Sequence, residues 1–339
     1  AHPNQQPDPA FLLAIHEHLD LGVIPSHHKT DLSGFTGAWI ADEIAALLSL
    51  MLGARLMAGG PIRQCQGGEW IIQGDRERPS GFWGHAKRKS IVPRALEPKH
   101  LPLATLLPTL PGLTPDVATA LVRAARSYRD GLWVVESEPE LAWLLFVSAL
   151  EVAAVQQQLE KSSLSDLLAH SKPDLVKKLG SIGGSSLVNT VAEALRGELR
   201  ATRRFLDFMQ QFAPGPPEKR PPAGFQLDWS ERNLRKGFDK VYAHRSKALH
   251  EGVPFPPPMC YPPLMADTGW DAPTETVLGL VSHTTGGTWE RSELPFSLHT
   301  FEYLTRGALL NWWSALVEGS SSEGCEQNSP IPGSGTPGP

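Results

Sequence analysis

Arg245 and His250 are the residues of this 339-residue chain whose types and spacing most clearly offer chemistry. They lie in Val241-Tyr242-Ala243-His244-Arg245-Ser246-Lys247-Ala248-Leu249-His250-Glu251-Gly252, an Arg-x4-His pattern with a small polar residue after the arginine and Glu-Gly after the histidine. A histidine near neutrality can take a proton from a ribose hydroxyl or return one to a leaving oxygen, and an arginine can stabilise charge on phosphorus. The pair is therefore equipped for phosphodiester transesterification without a metal.

Leu234, Phe238 and Val241 form an apolar stripe at helical spacing, and its next member, four residues on, is Arg245. The arginine should point inward or into an interface, where a guanidinium is tolerable only if a carboxylate or phosphate answers it. Glu151 is the natural partner, as the one ionisable residue between Leu141 and Val155. His250 follows Arg245 by five residues, about 140° around an ideal helix. It should occupy the last turn before Gly252, where unpaired carbonyls favour the imidazolium. Arg245 is long enough to reach toward the same pocket from an adjacent turn.

The segment resembles the signature of HEPN domains, especially the large helical type described as Apea-like. Glu136 to Ala154, ESEPELAWLLFVSALEVAA, looks like that family's early core helix with its acidic residue. In layout the resemblance covers roughly Tyr128 to Leu316, with motif identity confined to these two helices. It implies a mainly α, HEPN-like helical bundle and metal-independent RNA cleavage that leaves 2′,3′-cyclic phosphate and 5′-hydroxyl ends, in a defence or stress-response role. On that reading Arg245, His250 and Glu151 form the catalytic set, Glu151 orients Arg245, and Ser246, Lys247, His244 and Lys240 contact RNA. Cleavage needs two proton carriers and the motif gives one well-placed histidine, so a homodimer with facing motif helices is expected; His244 is the rival second carrier. The alternative is a noncatalytic HEPN-like module that binds RNA or a protein. Ser246 keeps it open, standing where active members often carry Asn, Asp or His.

Around this segment, residues 1–112 read as a small α+β region. Helices are expected over Phe11 to Leu21 and Ala38 to Leu52, strands over Ala54 to Met57 and Trp70 to Gln73, and turns at Gly59-Gly60-Pro61, Gly67-Gly68 and Pro79-Ser80-Gly81. This region is also a candidate surface for a protein partner. Prolines make Leu101 to Pro115 an extended connector.

Residues 113–319 form the helical domain. Thr114 is a predicted N-cap with Pro115 at the first helical position, followed by the stripe Val117, Leu121, Ala124, Tyr128, Leu132, Val135. Ser137 and Glu140 have capping-box spacing for a helix running to about Leu159. Further helices are expected over Ser163 to His170, Pro173 to Leu179, Ser185 to Gly197, Glu198 to Phe212 and Ser230 to His250, with Gly180 to Ser186 as a turn. Thr276 to His283 and Thr288 to Arg291 suit a hairpin before a last helix from Pro295 to Glu318. Of the adjacent Trp312 and Trp313 in that helix, one should be core and the other free for a partner. The tail 320–339, rich in Ser, Gly and Pro, should be disordered.

With 41% hydrophobic residues the chain can build a core, and a net charge of −5 excludes a uniformly basic surface. RNA contact must then use local patches. One is Glu231 to Lys247, with six Lys/Arg against Glu231 and Asp239; another is Arg196, Arg200, Arg203 and Arg204. Cys65, Cys260 and Cys325 fit neither a disulfide framework nor a zinc site, which suggests a reducing, cytoplasmic location. Ala1 to Pro9 does not look like a signal peptide, and Leu141 to Val155 is too short to span a membrane. His16-x-His18 and His27-His28 have no acidic or cysteine partners at recognisable metal spacing, and no nucleophile elbow, zinc-protease or dinucleotide pattern occurs. No metal or cofactor is expected.

Overall fold

A computed structural model describes residues 30–32, 34–59, 63–66, 69–72, 90–100, 104–157, 163–264, 272–277, 282 and 286–326. The chain folds as a mainly α bundle. Helices α1 (Ile40–Leu52), α2 (Pro115–Val134), α3 (Pro139–Ala154), α6 (Arg196–Phe212), α7 (Glu231–His250) and α8 (Leu298–Glu326) share one core, while α4 (Leu164–Ser171) and α5 (Pro173–Ala194) pack a smaller satellite on Leu168, Val188, Ala192 and Leu199. A two-stranded antiparallel ribbon, β1 (Arg63–Gln66) and β2 (Glu69–Ile72), pairs Cys65 with Trp70. No described helix is long and apolar enough to cross a membrane.

Pro115 begins α2 after an extended Thr114, as expected, and Leu121, Ala124, Tyr128, Leu132 and Val135 are fully buried along one stripe. A tight reversal then starts α3, whose Trp143 lies between Phe255 at 5.1 Å and Phe301 at 4.5 Å between ring centroids. This α2–α3 hairpin packs against α8, and α7 docks on α6 and α3. Gly237 of α7 makes the docking close: a Cβ there would come within 2.3 Å of the Phe296 ring.

Several expectations are corrected. The spacing of Ser137 and Glu140 does not become a capping box, because Glu138 is the N-cap and the Ser137 hydroxyl donates to the Val134 carbonyl. Ala54 to Met57 forms no strand: Arg55 turns inward instead, donating to the Leu132 carbonyl and pairing with Glu136 at 2.8 Å. The described part of the proline-rich connector coils into a 3-10 turn over Leu107–Gly112 that packs against α8. Residue 112 is not a break in the core, since Leu47 and Leu50 of α1 are buried in the same cluster as Tyr128 and Leu309. Two expected helices merge into α5 across a kink at Gly183 and Gly184, and α8 continues to Glu326. The expected hairpin is represented among described residues by a bridge between Ser282 and Thr288.

Trp312 and Trp313 are both buried, the first edge-on to Phe208 and the second donating to the Thr109 hydroxyl at 3.1 Å. Helix α8 is enclosed on more than one side, so neighbouring positions need not share a face to share the core. Phe11 to Leu21, the paired histidines at 16, 18, 27 and 28, and the three glycine-rich or proline-rich turns lie wholly or partly outside the described residues.

Candidate functional site

Helices α3 and α7 carry the central contact. Along α7, Leu234, Phe238 and Val241 are buried, and Tyr242 packs on Phe205 of α6 with ring centroids 5.0 Å apart. One turn on, Arg245 Nη2 lies 2.8 Å from Glu151 Oε2, the contact expected from two charges on apolar stripes. The other carboxylate oxygen, Oε1, accepts from the Tyr242 hydroxyl at 2.9 Å. The Arg245 guanidinium also lies over the Tyr242 ring, 5.6 Å from its centroid. Both ion-pair side chains are 23% exposed, so the cluster lies at the edge of the core and open to solvent.

Tyr242 is a member that sequence reasoning missed. Burial first, then the Glu151 charge and hydrogen bond, raise its phenol well above the ordinary tyrosine range, with Arg245 and Thr202 opposing. It therefore remains a neutral donor that fixes the carboxylate. The signal was present: a tyrosine three positions before an arginine lies on the same helical face. With Nη2 held by Glu151, the remaining guanidinium donors have no hydrogen-bond partner among the described residues and are available to an oxyanion.

His250 ends α7 and is exposed, without a hydrogen bond or ion pair among the described residues. Beyond it the Glu251 and Val253 N–H groups donate to the Lys247 carbonyl, and Gly252, at φ +67°, turns the chain away in a conformation that favours glycine. The fold does not bring His250 against Arg245, because five helical positions separate them angularly. Ser246 is half-buried and Lys247 exposed beside them.

His244 and Lys240, one turn apart, face elsewhere. His244 Nε2 contacts the Glu293 carbonyl at 2.8 Å, which makes that nitrogen the protonated one, and its ring lies 6.0 Å from Phe255. Burial, foremost among several influences, lowers its pKa and keeps it neutral. Lys240 pairs with the Glu293 carboxylate, and the hydrogen bond from Lys240 is the main reason that Glu293 titrates below its usual range. Neither residue joins the Arg245 cluster; both fasten α7 to the segment before α8.

The basic stretches divide similarly. Arg196 pairs with Glu193, while Arg203 and Arg235 share Asp207. Arg200, Arg232, Lys236 and Lys247 are exposed and have no ion pair among the described residues. Among those residues no three His, Cys, Asp or Glu side chains converge as a metal site, and Cys260 is a buried free thiol pushed up to about 12, chiefly by burial. No protein-family model, curated protein or solved structure matches this chain with significance.

Proposed function

We propose that the chain is a metal-independent endoribonuclease of the HEPN type, in which Arg245 and His250 act on an RNA phosphodiester and Glu151 orients Arg245. The observation that carries this reading is the 2.8 Å contact between Arg245 and Glu151 at a solvent-open edge. A carboxylate that holds one guanidinium nitrogen, with its second oxygen fixed by Tyr242, presets the charge that a phosphate would meet. Arg245 stabilises the oxygens on phosphorus while a proton leaves the ribose 2′-hydroxyl and another reaches the departing 5′-oxygen. The products are a 2′,3′-cyclic phosphate and a 5′-hydroxyl.

His250 is one proton carrier. His244 is engaged with Glu293, and Tyr242 is held as a neutral phenol, so the second carrier is assigned to His250 of another copy across a twofold axis. Lys247 and Ser246 line the approach, and the exposed Arg200, Arg232 and Lys236 add affinity without sequence selectivity. A second reading, a noncatalytic RNA-binding or partner-binding module, draws support from the separation of His250 and Arg245 within one chain.

The test is incubation of the purified full chain with RNA in excess chelator, scoring cyclic-phosphate ends. Cleavage lost in both Arg245→Ala and His250→Ala supports the enzyme. RNA binding without cleavage at any protein concentration supports the module, and equal cleavage by all three proteins sinks the assignment of these residues. Mixing the two variants tests the shared site, since heterodimers should differ in activity from either parent.

A further inference from the structure

Away from α7, a cavity of about 490 Å³ opens between the first turn of α8 and the Pro93–Leu96 3-10 turn. That volume falls within the ~300–1,000 Å³ typical of small-molecule sites. Its floor contains His299, only 6% exposed, whose Nδ1 has no hydrogen-bond partner among the described residues. Burial, with the nearby Arg94 charge, lowers this imidazole to about 3, so it is neutral and offers one donor and one acceptor.

Arg94 lines the same cavity. Its guanidinium is half-buried and lies 4.7 Å from the Tyr303 ring centroid, and it makes no ion pair or hydrogen bond among the described residues. A half-buried guanidinium without a carboxylate at the wall of a cavity is an arrangement that an occupant would complete. Pro93, Pro217 and Pro273 give the cavity flat apolar sides. Glu97, Glu218 and Lys219 are exposed at its mouth, where water screens them, leaving Arg94 as the charge that selects at the floor.

We infer that this cavity binds a small molecule carrying a carboxylate or phosphate on a flat apolar body, the oxyanion meeting Arg94 and the polar edge of the body meeting His299. The guanidinium can present paired donors to the oxyanion, with the Tyr303 ring packed against it. This site is separate from the proposed RNA site, and its test does not depend on RNA cleavage.

Saturation-transfer NMR on the full chain would use benzoate and phenyl phosphate as probes and benzamide as the uncharged control. Ligands of about nine heavy atoms at ordinary efficiency bind on the order of 10 mM or tighter. At least one anionic probe should bind saturably, and the preferred one identifies the headgroup as carboxylate or phosphate. Arg94→Gln should weaken that binding about tenfold or more, as expected for a charge-assisted contact. His299→Leu should also weaken it while leaving the melting temperature unchanged or higher, because it removes a buried polar group that lacks a partner. No saturable binding of either anion, benzamide binding as tightly as benzoate, or binding unaffected by both substitutions would overturn the proposal.

Discussion

The Glu151–Arg245 contact and the polar line on α8 both place ionisable or polar groups among apolar neighbours, but they are satisfied in opposite ways. At the first, each carboxylate oxygen has a donor and both charged side chains remain partly in water. Along the second, His299, Glu302 and Thr305 are buried, and His299 Nδ1, Glu302 Oε2 and Thr305 Oγ1 have no partner among the described residues. A paired, half-open charge is fixed in place yet available for electrostatic work at its free side. An unpartnered buried polar group retains an unmet demand, which the fold must absorb.

The largest effect that would sharpen this contrast is on chemistry. Arg245→Ala and His250→Ala should each reduce RNA cleavage by about 10² or more, the scale of a lost general acid–base or charge-stabilising group. His299→Leu should leave cleavage within about twofold, as ordinary for a residue outside the machinery. Rate measurements with unchanged helical circular dichroism would check both, and equal losses at His250 and His299 would break the separation of the two regions.

Stability comes next. Glu151→Ala should destabilise the fold by about 1–3 kcal/mol in urea denaturation, since it strands the Arg245 guanidinium and the Tyr242 hydroxyl together. In the Arg245→Met background the same substitution should cost less, and a coupling energy near zero would show that the pair is not a structural unit. Tyr242→Phe removes one hydroxyl that donates to Glu151 and should cost about 1 kcal/mol.

The smallest effect at neutral pH is expected at His299, where His299→Leu should change stability by less than about 1 kcal/mol, in the stabilising direction. On acidification the contrast should grow. Because the folded imidazole titrates near 3 instead of its ordinary 6.5, the unfolded chain binds more protons between those values, and stability falls as pH drops through that window. His244 is shifted in the same direction and adds to the trend. Denaturation at neutral and mildly acidic pH should show a smaller acid-induced loss in His299→Leu than in the wild type. An unchanged loss would place the acid sensitivity elsewhere.

Sequence reasoning was strongest where a local rule acts on consecutive residues. The α2 stripe, the start at Pro115 and the Ser230-to-His250 helix follow from periodicity and proline geometry, each decided within a few turns of chain. The Glu151–Arg245 contact was also legible, because a lone charge on each of two apolar stripes has few ways to be satisfied except by the other.

Only the tertiary structure decided which faces are enclosed. Nothing in the types of His299, Glu302 and Thr305 marks them for burial, and two adjacent tryptophans read as one inside and one outside. Helix α8 buries all five because α1, α2, α3 and α6 surround it. In the same way His244 and Lys240 looked like companions of Arg245 until Glu293, far along the chain, supplied both of their partners. The physical reason is common to these cases: helical period fixes a side chain's angle about its own axis, whereas burial and pairing depend on what packs against that angle from distant segments.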